Sequence, residues 1–170
     1  MGSPRVTNVV IAGLGGQGVL KASDMVAEAA FRAGFDVKKS EVHGMSQRGG
    51  SVASDVRFGA KVLSPMVPHG EADYLVLLDE DQLEANRHLV RPGGVLIHPG
   101  LVSGVKLASK RSLNVALVGL LSSRLDIPEQ AWLEAIRASL SEKLHQDNLA
   151  AFQAGRVLMT LYGAQNDSSA

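Results

Sequence analysis

Two glycine-rich segments hold the residues of this 170-residue chain whose types and spacing could bind an anion. In the first segment, Gly13, Gly15 and Gly18 form a Gly-x-Gly-x-x-Gly pattern. Glycine lets a ligand approach the backbone closely, and the free N–H groups at the start of a following helix attract phosphate. The pattern therefore predicts either a phosphate-binding turn or a turn that packs the helix against the strand. The candidate cofactor-binding residues of this segment are Gly13, Gly15, Gly16, Gln17 and Gly18.

The second segment covers residues 41–51 and carries an arginine between a glutamine and two glycines. The Arg48 guanidinium can bind a carboxylate or a phosphate through two parallel hydrogen bonds. Ser46 and Gln47 add neutral donors, and Gly49 completes the candidate set. Arg48 could equally form a salt bridge at a subunit interface. We expect the two segments to share one polar surface that binds an anionic cofactor or a partner subunit.

Other polar residues are weaker candidates. Glu41 ends the predicted second strand, where a dinucleotide-binding fold places the acidic residue that holds the ribose. His43 could act as a general base, although a lone histidine more often has a structural role. The acidic run 79–81 could bind a hard cation or simply start a helix. We predict no catalytic residue on this chain, because its sequence contains no convincing set of a catalytic acid and base. We also predict no metal site, because the remaining histidines lack metal-ligand spacing.

The composition narrows the class of protein. With 45% hydrophobic and 20% charged residues, the chain is long enough and apolar enough to form a real core. The formal net charge is zero, so we expect no nucleic-acid partner and no membrane association. No apolar run reaches the roughly 18 residues of a membrane span. Cysteine is absent, which excludes a cysteine-ligated iron–sulfur cluster on this chain and agrees with a cytoplasmic location.

Alternating strand and helix patterns predict an α/β fold with a mostly parallel, Rossmann-like sheet flanked by helices. The apolar run 6–12 is typical of a buried strand, and helical spacing over 18–33 predicts the helix after the glycine turn. Further strands are predicted over residues 35–42, 74–78 and 95–98. An antiparallel hairpin is predicted from the alternating strand 51–58, through a turn at Gly59-Ala60, to residues 61–63.

The last third of the chain is predicted to be helical. Asn114 can cap a helix over 115–125, Pro128 can start another, and Asn148 can cap a third that continues to Leu161. We expect a single α/β domain over residues 1–163. The polar tail over residues 164–170 is expected to be disordered.

Taken in order, these motifs resemble the gamma-type subunit or domain of the 2-oxoacid:ferredoxin oxidoreductases, in particular the small beta subunit of indolepyruvate ferredoxin oxidoreductase. The resemblance covers residues 6–160, and Ser46-Gln47-Arg48-Gly49-Gly50 is its most specific part. The matching segments are residues 13–19, residues 41–52, Val56-Arg57-Phe58-Gly59, Ser64-Pro65, Asp73-Tyr74-Leu75, Glu84-Ala85 and Pro92-Gly93-Gly94.

The resemblance implies a subunit of an enzyme that oxidatively decarboxylates a 2-oxoacid, such as pyruvate or an arylpyruvate. Coenzyme A would accept the acyl group, and ferredoxin would accept the electrons. Thiamine diphosphate and the iron–sulfur clusters would belong to large partner subunits, so this chain would hold no cofactor alone and would be inactive when isolated. Related single-chain enzymes imply a contact between this domain and coenzyme A.

The residues leave two alternatives open. The first is a free-standing nicotinamide- or flavin-binding enzyme, which the Gly-x-Gly-x-x-Gly pattern and Glu41 would suit. The second is a regulatory or scaffold module that uses the same fold.

Overall fold

A single mixed sheet forms the centre of the molecule. The computed structural model describes residues 5–44 and 50–166, and within them the strand order of the sheet is β2-β3-β1-β4-β5. The strands are β1 (Thr7–Leu14), β2 (Asp36–His43), β3 (Ser51–Gly59), β4 (Ala72–Leu77) and β5 (Val90–Ile97). β1 pairs in parallel with β4, and β4 with β5, whereas β3 pairs antiparallel with both β1 and β2. Four strands thus share one direction, and the predicted α/β fold with an antiparallel hairpin is confirmed.

The hairpin has a different partner strand from the predicted one. Its two arms are β2 and β3, and residues 60–71 contain no strand. Because β3 lies between β2 and β1, both of its edges are already hydrogen-bonded, so residues 61–63 have no free edge to join. Side chains hold this segment instead: Asp36 Oδ2 accepts a hydrogen bond from the Val62 N–H at 2.7 Å, and Arg57 Nη1 donates to the Ser64 carbonyl at 2.9 Å.

Helices cover mainly one face of the sheet. They are α1 (Val19–Arg32), α2 (Leu83–Asn86), α3 (Leu113–Ser122), α4 (Glu129–Ser139) and α5 (His145–Asn166). The main core joins α1, α3, α4 and α5 to one face of the sheet, and a smaller cluster lies on the other face beneath Val67, Leu83 and Leu89. No helix in the described part of the chain is long and apolar enough to cross a membrane.

Two predicted helix caps are wrong. Asn114 and Asn148 lie inside α3 and α5, because 3-10 turns at Lys110–Ser112 and Glu142–Leu144 start these helices earlier. The Asn114 amide instead donates to the Gly18 carbonyl at 3.2 Å, which ties α3 to the glycine turn. α5 continues past its predicted end to Asn166, while the tail residues 167–170 lie outside the described residues.

A buried carboxylate joins the strands at the edge of the sheet opposite the glycine turn. Asp73, in β4, accepts hydrogen bonds from the Asn8 N–H at 2.8 Å, from Arg5 at 2.9 Å and from Arg91 at 2.7 Å. Burial alone would raise the pKa of Asp73, but these three donors outweigh burial and hold the pKa below its ordinary value. The carboxylate therefore favours the ionised state while it links β1, β4 and the start of β5.

Helices α3 and α5 approach each other through two glycines. A Cβ atom at Gly119 would collide with the Phe152 carbonyl, and one at Gly155 would collide with the Ala116 carbonyl. The absence of both side chains therefore allows the two backbones to touch.

We predict that Gly119→Ala lowers the free energy of unfolding by about 1–3 kcal/mol, because a methyl group would force the two backbones apart. Thermal or urea unfolding would measure the change. Gly104→Ala is the matched control, since a Cβ there meets nothing within 4 Å. Equal stability of the two variants would show that the contact between α3 and α5 tolerates a side chain.

Candidate functional site

The glycine turn connects β1 to α1 at the carboxyl edge of the sheet. Gly16 and Gly18 have φ angles of 85° and 87°, a region that side chains strongly disfavour. A Cβ at Gly13 would lie 3.0 Å from Leu78, and one at Gly18 would collide with the Asn114 side chain. Gly13 and Gly18 therefore serve packing, whereas the space beside Gly16 is open. The packing role of the turn therefore belongs to Gly13 and Gly18. Anion binding remains a prediction for Gly15 and Gly16.

The Gln17 side chain holds the glycine turn in place through two hydrogen bonds. Its Oε1 accepts a hydrogen bond from the Leu14 N–H at 2.7 Å, and its Nε2 donates to Asp79 Oδ2 at 2.8 Å. The other Asp79 oxygen accepts from the Asp81 N–H at 3.0 Å, so Asp79 starts the 3-10 turn Glu80–Gln82. Gln17, expected to bind a cofactor, therefore directs its amide at the protein itself.

The prediction that the acidic run starts a helix is confirmed by the Asp79 cap of this 3-10 turn, but sequence reasoning missed the bond from Gln17 to Asp79. The available signal was its position directly after a parallel strand, because the ends of neighbouring parallel strands meet at one edge of the sheet. The described residues contain no group of three or more histidine, aspartate or glutamate side chains that could hold a metal ion.

The second glycine-rich segment begins and ends beside the first. The Gly15 N–H donates to the Gly50 carbonyl at 2.9 Å, and the Gly44 N–H donates to the Ser51 carbonyl at 2.6 Å. The two segments therefore meet at one edge of the sheet, as the shared polar surface requires. The candidate residues Ser46, Gln47, Arg48 and Gly49 lie outside the described residues.

Two grooves flank the glycine turn. The loop-side groove, of about 380 Å³, is lined by Leu14, Gly15, Leu20, His43 and Val52, next to the ends of the second segment. On the other side of the turn is a groove of about 710 Å³ that reaches α3 and the start of α5. We call it the switch-point groove. Gly16, Gly18 and Lys21 line both grooves, so the turn is a ridge between them.

The structure gives little support to the roles considered for Glu41 and His43. In a dinucleotide-binding fold the strand that carries the ribose-binding carboxylate lies next to β1. Here β3 separates β2 from β1, which places Glu41 two strand spacings, about 10 Å, from β1. A hydrogen bond from Lys39 at 2.8 Å and the charge of that ammonium lower the pKa of Glu41. His43 is exposed, with its Nε2 atom 3.9 Å from Glu41 Oε2.

Comparison with known proteins agrees with this geometry. The chain matches the family described as pyruvate ferredoxin/flavodoxin oxidoreductase over residues 8–158. The chain belongs to this family. The indolepyruvate oxidoreductase subunit IorB of Thermococcus kodakarensis is 36% identical over 87% of this chain and 93% of its own length. The corresponding IorB subunit of Archaeoglobus fulgidus is 31% identical over 87% of this chain and 92% of its own length.

Solved structures of this enzyme class have the same fold. The gamma subunit of a keto/oxoacid ferredoxin oxidoreductase from Geobacter sulfurreducens superposes with a TM-score of 0.75 at 19% identity, over 92% of this chain and 98% of its own. The 2-oxoglutarate:ferredoxin oxidoreductase of Magnetococcus marinus gives a TM-score of 0.80 at 22% identity, over 94% of this chain but 32% of its own. The family resemblance predicted from the motifs is confirmed.

We predict that Gln17→Ala lowers the free energy of unfolding by about 1–3 kcal/mol, because it leaves the Leu14 N–H and Asp79 without this partner. Chemical denaturation would measure the loss. Gln130→Ala is the control, since the Gln130 amide makes one exposed hydrogen bond to Glu134 at 3.1 Å. A loss at Gln17 no larger than that at Gln130 would show that the clamp does not hold the turn.

Proposed function

We propose that this chain works as the small, non-catalytic subunit of a 2-oxoacid:ferredoxin oxidoreductase whose substrate is an aryl 2-oxoacid such as indolepyruvate. The observation that carries the proposal is the similarity to IorB subunits, which extends over nearly the whole of both chains. In the proposed reaction the bond between the carbonyl carbon and the carboxylate carbon breaks, and carbon dioxide leaves. Two electrons pass to ferredoxin, and the sulfur of coenzyme A takes the acyl group as the thiol loses its proton to solvent.

The assignment of cofactors to subunits follows from the side chains that this chain contains. Iron–sulfur clusters are held mainly by cysteine thiolates, and this sequence has no cysteine. We therefore assign the clusters and thiamine diphosphate to large partner subunits, in a cytoplasmic complex that delivers electrons to ferredoxin. The Magnetococcus structure, which holds coenzyme A and succinyl-CoA, contains this fold within a chain about three times as long, since the fold covers 32% of it.

We assign this chain the role of contacting coenzyme A and the partner subunit. The proposed contact surface is the loop-side groove, which Gly15, Gly16, His43 and Val52 line, together with Arg48, which lies outside the described residues. The hydrogen bond from Gly15 to Gly50 supports this assignment, because it brings the base of that segment to the turn.

The nicotinamide- or flavin-binding alternative loses support from the sheet topology. A free-standing enzyme of that type needs a ribose-binding carboxylate beside the glycine turn, and β3 occupies the place of the strand that would carry it. A scaffold module has no specific observation in its favour.

We predict that the isolated chain shows no turnover with any 2-oxoacid and no saturable binding of NAD or NADP. Adding the large subunit should restore reduction of a dye or of ferredoxin that depends on both coenzyme A and an aryl 2-oxoacid. Steady-state assays of the chain, the partner and the complex would test this. Robust turnover by the chain alone would disprove the subunit assignment.

We predict that Arg48→Ala weakens subunit assembly or the use of coenzyme A by about 2–5 kcal/mol, as expected when one partner of a desolvated charge pair is removed. Arg48→Lys should rescue the loss only in part, because an ammonium cannot reproduce the planar guanidinium fork. Arg87→Ala is the control, since Arg87 makes an exposed ion pair with Glu84 at 3.1 Å. Assembly and Michaelis constants for coenzyme A in Arg48→Ala that equal those of the control would exclude this role for Arg48.

A further inference from the structure

The outer edge of β2 is a free and regular strand edge. β2 lies at one end of the sheet, and among the described residues no strand pairs with its outer side. Its eight residues pair with β3 one to one, without a bulge, and include no proline or glycine. Such an edge offers unpaired N–H and C=O groups to another strand, which natural proteins usually prevent. At the other end of the sheet, β5 contains Pro92 and pairs irregularly with β4, so that edge is protected.

The hydrogen-bond pattern of the hairpin identifies the backbone groups at the free edge. The Gly44 N–H donates to the Ser51 carbonyl at 2.6 Å, in the same register as the pairing of β2 with β3. Antiparallel strands alternate between hydrogen-bonded and non-hydrogen-bonded pairs, so the even-numbered residues of β2 bond to β3. The backbone groups of the odd-numbered residues therefore point outward. These residues are Val37, Lys39, Glu41 and His43.

One symmetric register of two such edges matches their charges. In an antiparallel pair about a two-fold axis, a residue on the axis faces its own copy and the pairs on either side are reciprocal. With Ser40 on the axis, Lys39 of each copy lies opposite Glu41 of the other, and both residues have outward backbone groups. In the neighbouring registers Lys39 or Glu41 would face its own copy. Like charges directly opposite each other destabilise a sheet, so the register about Ser40 is favoured.

Lys39 makes this edge selective. Its side chain lies on the helix-covered face, where the ammonium donates to Asp24 of α1 and, at 2.8 Å, to Glu41. A lysine on an edge strand normally discourages pairing with other strands. A strand that places a carboxylate opposite Lys39 instead adds a favourable cross-strand pair. A second copy of this chain does so twice, because the pairing is reciprocal.

Exposed apolar side chains flank the same edge on both faces. On the helix-covered face, a groove of about 450 Å³ has Ala27, Phe31 and Val37 in its lining, and Phe31 is 68% exposed. On the opposite face, Val42 is 56% exposed. In the register about Ser40, Val42 lies opposite Lys38 of the other copy, whose aliphatic stem can cover it. Pairing would therefore cover apolar surface as well as form backbone hydrogen bonds.

We propose that the outer edge of β2 is a self-association surface, at which two copies of this chain pair their β2 strands antiparallel about Ser40. The pairing joins the two five-stranded sheets into one. A two-fold axis perpendicular to the sheet keeps both α1 helices on the same face, where they lie on either side of the joint. This inference goes beyond the proposed function and does not depend on it. In a larger assembly the chain would enter as a pair.

Sedimentation equilibrium of the chain tests the pairing. We expect the wild-type chain to show twice its monomer mass of 17.9 kDa. Lys39→Glu and Glu41→Lys should each raise the dissociation constant of the dimer about tenfold or more, since each replaces two attractive cross-strand pairs with two repulsive ones. Lys106→Glu is the matched control, because Lys106 is an exposed lysine outside both β2 and α1.

Mixing the two variants distinguishes a lost pairing from a damaged fold. An equimolar mixture of the Lys39→Glu and Glu41→Lys chains should recover the dimer, because both cross-strand pairs then join opposite charges. Chains that had failed to fold would not recover in this way. Melting temperatures of the separate variants would show directly whether each is folded.

Amide hydrogen exchange locates the contact on the strand. The N–H groups at positions 39 and 41 should exchange more slowly in the wild-type dimer than in either variant, because pairing hydrogen-bonds them. The N–H groups of Lys38 and Ser40 are the internal control, since both bond to β3 in the monomer and in the dimer alike.

A wild-type chain that sediments as a monomer would overturn the inference. A dimer that neither variant weakens would also overturn it, and would place the contact on another surface. Protection of the outward N–H groups that appears only when the large subunit is added would assign the β2 edge to that partner instead of a second copy. None of these results decides the proposed function, which the activity of the complex tests.

Discussion

The position of β3 is the constraint on which the rest of the site depends. This strand enters the sheet between β2 and β1 and runs antiparallel to both, so each of its edges is hydrogen-bonded along its length. The register pairs Leu14 at the end of β1 with Ser51 at the start of β3. The segment that precedes Ser51 therefore ends at the same edge of the sheet where the glycine turn lies. A parallel strand in this position would have begun at the opposite edge.

The same strand changes what a Gly-x-Gly-x-x-Gly turn can do. In a dinucleotide-binding fold the strand after α1 lies beside β1, and its terminal carboxylate reaches the ribose. Here that strand is displaced to the edge of the sheet, and Glu41 pairs with Lys39 instead. Within the turn, packing needs Gly13 and Gly18, Gln17 bonds inward, and the Gly15 N–H is bonded to Gly50. Little beyond the backbone at Gly16 is therefore left for a ligand.

Much of the fold was predictable because its signals are local. The apolar run of β1 and the helical spacing of α1 are each encoded by adjacent residues, and each element lies within a residue or two of its predicted place. The second arm of the hairpin was placed wrongly at residues 61–63. An alternating strand followed by Gly59 predicts a turn, but this pattern does not reveal that both edges of β3 are already paired. The caps at Asn114 and Asn148 were mispredicted because 3-10 turns extend both helices backward.

The fold class, the family and the two glycine-rich segments can be read from local patterns, because strand and helix periodicity and an ordered set of motifs are properties of neighbouring residues. Which residues share a site depends on contacts between distant parts of the chain. Gln17 and Asp79 are 62 positions apart and meet at 2.8 Å because β1 and β4 are parallel neighbours. Lys21 and Arg111 line one groove because α3 packs beside the turn. Such contacts depend on the order of strands in the sheet, which no local pattern specifies.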